Sequence, residues 1–184
     1  NSLEGLGSTL EICTSSPVKQ MKQTISNIMI GPSVKEKFSI LLGNSESILK
    51  DFTENTFHAC ITDPPYGMNM ECWDHSVPEV SLWKEVYRTL RPGAFCLSFC
   101  SPELYHRLAC NIEDAGFRIV DQIMWMTTTK MPKHNRLKPA HEPIVVAQKP
   151  YTSSLKKNDE IWDCGLINTQ STRIPWDKEP PKGW

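Results

Sequence analysis

The sequence predicts an α/β fold, because short apolar runs of strand character alternate with amphipathic helical stretches, and Gly, Pro or capping residues punctuate the joins. The 184 residues contain 39% hydrophobic side chains and six Trp, enough for one domain with a sizeable core. The alternation is the pattern of a mostly parallel sheet covered by helices.

Residues 1 to 36 are Ser/Thr-rich with short apolar clusters such as Ile25 to Ile30, and they read as an undetermined lead-in. Phe38 to Gly43 reads as a first buried strand. Ser45 to Asp51 follows as a short helix with Ile48 and Leu49 inward, and Phe57 to Asp63 as the next strand. Val80, Trp83, Val86, Tyr87 and Leu90 recur at helical spacing between Pro78 and Arg91, with Pro92-Gly93 as the stop. Ala94 to Phe99 is a strand. Ser101 reads as an N-cap before Pro102, and Leu104, Leu108, Ile112 and Ala115 mark one helical face ending at Gly116. Phe117 to Met126 and Ile144 to Ala147 are two further strands separated by a basic loop.

A net charge of -1 with 22% charged residues is neither an acidic tail nor a uniformly basic coat, so any nucleic-acid contact must come from a local patch. Seven Cys without a C-x-x-C pair read as reduced, mostly buried thiols, and no zinc or other metal site is expected. No secretory leader and no apolar run near the roughly 20 residues of a membrane span is present, which predicts a soluble, cytoplasmic protein. The chain begins at Asn1 and stops at Gly183-Trp184 after a Pro-rich stretch, as a piece of a longer protein would.

Chemistry concentrates at Asp63-Pro64-Pro65-Tyr66, which follows the strand-like run Phe57 to Ile61. In open α/β sheets a ligand sits beyond the carboxyl ends of the strands. An exocyclic amino group on adenine or cytosine is a poor nucleophile, because its lone pair is delocalised into the ring. If Asp63 accepts one amino hydrogen and the Pro64 carbonyl the other, the nitrogen is drawn toward tetrahedral geometry and can attack an electrophilic methyl group in line. Pro65 offers no competing amide proton and stiffens the backbone. Tyr66 can stack on a base rotated out of the duplex. A turn built of Asp, Pro and Gly for conformational reasons alone is the alternative.

The run Ile61 to Gly67, with Trp73-Asp74, Trp83-Lys84-Glu85 and Leu90-Arg91-Pro92-Gly93-Ala94, resembles the DNA amino-methyltransferases of the Asp-Pro-Pro-Tyr type. Downstream, Leu97-Ser98-Phe99, Tyr105 to Leu108, Ile112 to Phe117, Asp121 to Trp125, Leu137 to Ile144 and Gly165 to Asn168 are similar to phage and prophage members. The resemblance covers about residue 38 to the end. It implies methyl transfer from S-adenosyl-L-methionine to adenine N6 or cytosine N4 of double-stranded DNA, on a Rossmann-like class I methyltransferase sheet with helices on both faces. Asp63, Pro64, Pro65 and Tyr66 would be the catalytic residues. Asp at the first position leans toward adenine, since the cytosine-N4 enzymes more often carry Ser there.

In the family's permuted order the cofactor half, with a Phe-x-Gly-x-Gly loop, comes last. That loop is absent, and Gly5-Leu6-Gly7 lacks a preceding strand and reads as a flexible terminus. The resemblance therefore divides the chain into a lead-in (1–36), the catalytic half of an incomplete methyltransferase domain (37–150) and a target-recognition or linker segment (151–184). Asn44 stands where members usually have an acidic, cofactor-contacting residue. The rivals are a cofactor-less remnant that only binds DNA, and methylation of RNA or of a protein amide, where related enzymes show Asn in place of Asp63.

Lys130, Lys133, His134, Asn135, Arg136 and Lys138 form the densest positive run, suited to holding DNA phosphates or equally to a solvated loop. Asn168, Gln170 and Arg173 could read base edges, or belong to a linker that also carries Trp162 and Trp176. His106 and His141 read as structural, and Trp73, Trp83 and Trp125 as core or lid aromatics. The loop from Gly67 to Val77 is placed to close over a flipped base.

Overall fold

The computed structural model describes residues 9–13, 39–69, 72, 74–129, 131, 134–135 and 137–172. Five strands form one sheet, β1 (Thr9–Cys13), β2 (Phe57–Asp63), β3 (Leu90–Phe99), β4 (Arg118–Met126) and β5 (His141–Gln148), in the spatial order β1-β2-β3-β5-β4. The helices are α1 (Ser45–Leu49), α2 (Val80–Thr89), α3 (Tyr105–Asp114), α4 (Leu155–Trp162) and α5 (Thr169–Thr172).

The fold is α/β as expected, but the sheet is mixed rather than mostly parallel. Only β2 and β3 run parallel, while β1-β2, β3-β5 and β5-β4 are antiparallel. A parallel neighbour needs a crossover, usually helical. The helix α2 provides that connection from β2 to β3, and α3 carries the chain from β3 past one position to β4; no helix joins β4 to β5, and β5 returns against β4 and inserts beside β3.

The core lies between one face of the sheet and α2 and α3. Trp83 and Val86 from α2 and Leu108 and Ile112 from α3 bury against Cys60, Cys96, Val145 and Ala147. These residues occupy the i, i+3 and i+4 positions that the helical spacing predicts. Trp83 is a core aromatic, and its indole N–H donates to the Pro78 carbonyl at 3.3 Å. On the opposite face Leu155 of α4 stands near Phe95 and Val146, with a cleft of about 350 Å³ among them. Helices thus stand on both faces. The α4 anchor is Asn158, buried, which donates to the carbonyls of Pro92 (3.0 Å) and Cys164 (2.9 Å).

Four boundaries differ from expectation. Residues 39–43 are irregular rather than a strand, and Ile40, Leu41 and Leu42 are exposed, since no described strand pairs with them. The second helix ends at Thr89, because the residue before Pro92 is biased to extended backbone. Pro92 and Gly93 then lie within β3, where the register against β2 shifts. Ser101 caps α3 only loosely: its carbonyl accepts the Leu104 and Tyr105 amides, the helix starts at Tyr105, and the buried Ser101 hydroxyl makes no hydrogen bond. Finally, β1 forms a strand inside the stretch read as a lead-in; five residues are too few to carry a periodic signal. The clusters at Ile25 to Ile30 and Gly5 to Gly7 lie outside the described residues.

Candidate active site

The parallel pairing of β2 with β3 brings their carboxyl ends together, with Thr62 opposite Ser98. Asp63 is exposed at the end of β2, Pro64 is buried, and Pro65 and Tyr66 are half-buried. Antiparallel β5 contributes its first residues to the same end, and the Cys100 amide donates to the Pro143 carbonyl at 3.0 Å. Asp63, Tyr66, Cys100 and Glu142 therefore form one electrostatic group. Burial, a hydrogen bond to the Asp63 carboxylate, and the nearby Asp63 and Glu142 charges push the Tyr66 phenol far above its ordinary value. Tyr66 is consequently a neutral donor facing a carboxylate. Burial pushes the Cys100 thiol up to about 11, with the Asp63 charge adding to the shift and a hydrogen bond from Ser101 opposing it.

Behind Tyr66 the chain turns through Gly67, whose φ of +70° favours glycine. The carboxylate of Asp74 accepts the Gly67 amide at 2.6 Å and the Met68 amide at 3.1 Å, and the Asp74 carbonyl accepts the Asn69 amide at 2.8 Å. Asp74 is 5% exposed. The two arms of the Gly67 to Val77 loop thus meet in a hydrogen-bonded neck, and Trp73 within it lies outside the described residues.

The sequence profile of the DNA methylase family matches residues 57–180, about two thirds of the chain, and the match includes the tetrad and the Asp74 neck. The chain belongs to the DNA methylase family. It is 22% identical to the type II methyltransferase M.HindIII of Haemophilus influenzae in an alignment covering 64% of this chain and 60% of that protein. The chain thus spans less than two thirds of the length of the curated relative it matches. Among solved structures it is similar to the M1.HpyAVI-SAM complex (TM-score 0.46, 23% identity, 60% of this chain and 53% of that one). It is also similar to TTHA0409 of Thermus thermophilus complexed with S-adenosyl-L-methionine (TM-score 0.49, 20% identity, 72% and 58%).

Not every residue that the sequence singled out in this DNA methylase converges on the tetrad. Asn44 lines a separate cleft of about 210 Å³ with Ser45, Glu46, Pro78, Glu79 and Ser81. Its Oδ1 accepts the Ser47 amide at 3.1 Å as the α1 N-cap, so its amide nitrogen is left as the donor it can offer. In the basic loop His134, Asn135 and Lys138 are exposed, and the Lys138 ammonium donates to the Thr128 carbonyl at 2.8 Å. Lys130, Lys133 and Arg136 lie outside the described residues, as do Arg173 and Trp176. Asn168 caps α5 by accepting the Ser171 amide at 3.1 Å, and Gln170 is exposed. Trp125 is 59% exposed, its ring 6.0 Å from that of Phe99, so it is not a core residue. His106 is exposed on α3, and His141 opens β5.

Sequence reasoning gave no role to Asp74, Cys100 or Glu142. Asp74 stood in the Trp-Asp pair and Glu142 in the His-Glu-Pro run, but both needed the folded loops to bring them to the tetrad. Among the described residues no helix is long and apolar enough to cross a membrane.

Proposed function

We propose that the protein methylates the exocyclic amino group of a flipped base in double-stranded DNA, adenine N6 in preference to cytosine N4, using S-adenosyl-L-methionine in the cytoplasm. The observation that carries the reading is the Asp63 carboxylate, exposed at the carboxyl end of β2 with Tyr66 beside it, in a chain of the DNA methylase family.

Asp63 accepts one hydrogen of the base amino group and the Pro64 carbonyl accepts the other, which localises the nitrogen lone pair. Tyr66, neutral throughout the physiological range, stacks on the extruded base and offsets part of the few kcal/mol that flipping costs. To reach Asp63 the amino group takes the place of the Tyr66 hydroxyl as hydrogen-bond donor.

S-adenosyl-L-methionine, when bound, supplies an electrophilic methyl on a sulfonium. The cleft of about 210 Å³ at Asn44 offers the Glu79 carboxylate as an acceptor for hydroxyl or amino groups, while the Glu46 carboxylate already accepts the Ser81 hydroxyl at 3.1 Å and pairs with Lys50 at 3.6 Å. It is smaller than the roughly 300–1,000 Å³ of a whole ligand pocket, so it could take no more than a portion of the cofactor. In this reading residues 37–150 form the catalytic half, and residues 151–184 provide target-recognition or linker contacts. The loop of Lys130, Lys133, His134, Asn135, Arg136 and Lys138 holds DNA phosphates.

The test is methyl transfer from labelled S-adenosyl-L-methionine to unmethylated DNA by this chain, by the full gene product and by its Asp63→Ala variant, with the modified nucleoside identified by mass. Transfer to adenine that Asp63→Ala abolishes supports the reading. Methylated cytosine would correct the base, and no transfer by either wild-type protein would leave a DNA-binding remnant.

A further inference from the structure

We propose that Asp74 is a positioning residue of the methyl-transfer site, acting through the backbone that carries Tyr66; the inference rests on the function proposed above. A carboxylate is costly to bury unless it is satisfied by hydrogen bonds. Asp74 is buried at the neck of a loop in which Met68, Asn69, Cys72, His75 and Ser76 are exposed, and it accepts two consecutive amides, Gly67 at 2.6 Å and Met68 at 3.1 Å.

The positive φ of Gly67 is what lets two successive N–H groups converge on one side, a concavity of the kind that binds anions. Here the chain's own carboxylate fills it. The Gly67 amide shares a peptide plane with the Tyr66 carbonyl, so holding that N–H restrains ψ of Tyr66 and with it the backbone from which the Tyr66 side chain projects. The Met68 amide fixes the next plane. On the other side Gly67 packs against Ser76 and Val77, so the turn is held between a charge and a backbone wall. Asp74 touches no reacting atom; it sets where the backbone of Tyr66 stands relative to Asp63.

Asp74→Asn changes neither size nor shape, but it sets an NH2 donor against an N–H donor and opens one half of the clamp. The experiment compares wild type, Asp74→Asn, Asp74→Glu and Asp63→Asn in the full gene product, by steady-state transfer kinetics and by amide hydrogen exchange. Asp74→Asn is expected to lower kcat about 100-fold, the scale of a misplaced catalytic group, with KM for DNA little changed. Gly67 and Met68 amides exchange faster in it, while Val145 and Ala147 in the core stay protected. Asp74→Glu, which restores the charge on a longer arm, recovers part of kcat.

Wild-type kcat in Asp74→Asn with a freed loop overturns the inference, and so does a loss of kcat that tracks lost protection of the core. Transfer that survives in Asp63→Asn, or that is absent from wild type, overturns the reading of the site itself and the inference with it.

Discussion

Gly67 passes Ser76 so closely that a methyl group in place of its hydrogen would come within 2.9 Å of the Ser76 Cα and carbonyl carbon. The contact is with backbone, which cannot rotate away, and the φ of +70° adds strain for any L side chain. Gly67→Ala is therefore expected to cost about 1–3 kcal/mol. Chemical denaturation would register it as a lower midpoint, and the proposed methyl transfer should fall with it. An unchanged midpoint would mean that the loop's return arm moves freely.

Asn158 ties α4 to β3 through the Pro92 carbonyl and to the chain that follows α4 through the Cys164 carbonyl. Asn158→Ala leaves the Pro92 and Cys164 carbonyls unpaired at a cost of about 1–3 kcal/mol. Asn158→Asp should be worse, because it presents an acceptor to two acceptors. Equilibrium unfolding of the three proteins would rank them wild type, Ala, Asp.

His58 makes stability depend on pH. Burial and the Arg91 guanidinium, against which its ring is hydrogen-bonded, lower its pKa below the ordinary 6.5, with Asp163 partly opposing them. The unfolded chain then takes up the proton first. Stability should be level above about pH 6.5 and fall as the pH drops from there through the folded-state value. Thermal melting across that range checks the sign, and His58→Gln should flatten the slope.

Cysteine labelling should sort the thiols by position. Cys72 and Cys110 are exposed, whereas Cys60, Cys96, Cys100 and Cys164 are buried. A hydrogen bond to Cys60, its partner across the parallel strands, and burial hold Cys96 well above the thiol range, and burial pushes Cys164 up to about 11. The thiolate is the reactive form. Brief alkylation at mildly alkaline pH followed by peptide mass mapping should mark Cys72 and Cys110 alone among these six. Rapid labelling of Cys100 would show that the tetrad's end of the sheet opens in solution.

The Asp63 to Tyr66 tetrad stood out in the sequence because its four residues are contiguous, and the strand expected before it is found as β2. Helices α2 and α3 were legible from spacing alone. What escaped depends on contacts distant in sequence. Asp74 is seven residues from Gly67, and no periodicity marks a carboxylate that caps a loop neck. Asn158 is a polar residue that propensity would turn outward, yet it is buried because the carbonyls of Pro92 in β3 and of Cys164 supply acceptors. Residues 39–43 of the strand expected at Phe38 to Gly43 differ for the opposite reason: an apolar run forms a buried strand only where a neighbour takes up its hydrogen bonds, and no described strand does so there.

The outermost strand, β4, has consequences for handling the protein. No described strand pairs with its outer edge, and Ile123, Met124, Trp125 and Met126 are exposed in succession. Such an edge is a template on which another chain can add hydrogen bonds and apolar contacts together. Preparations of these 184 residues should scatter light increasingly with concentration and warmth. A single Lys at Met124, a side chain already turned to solvent, should suppress that scattering without disturbing the tetrad.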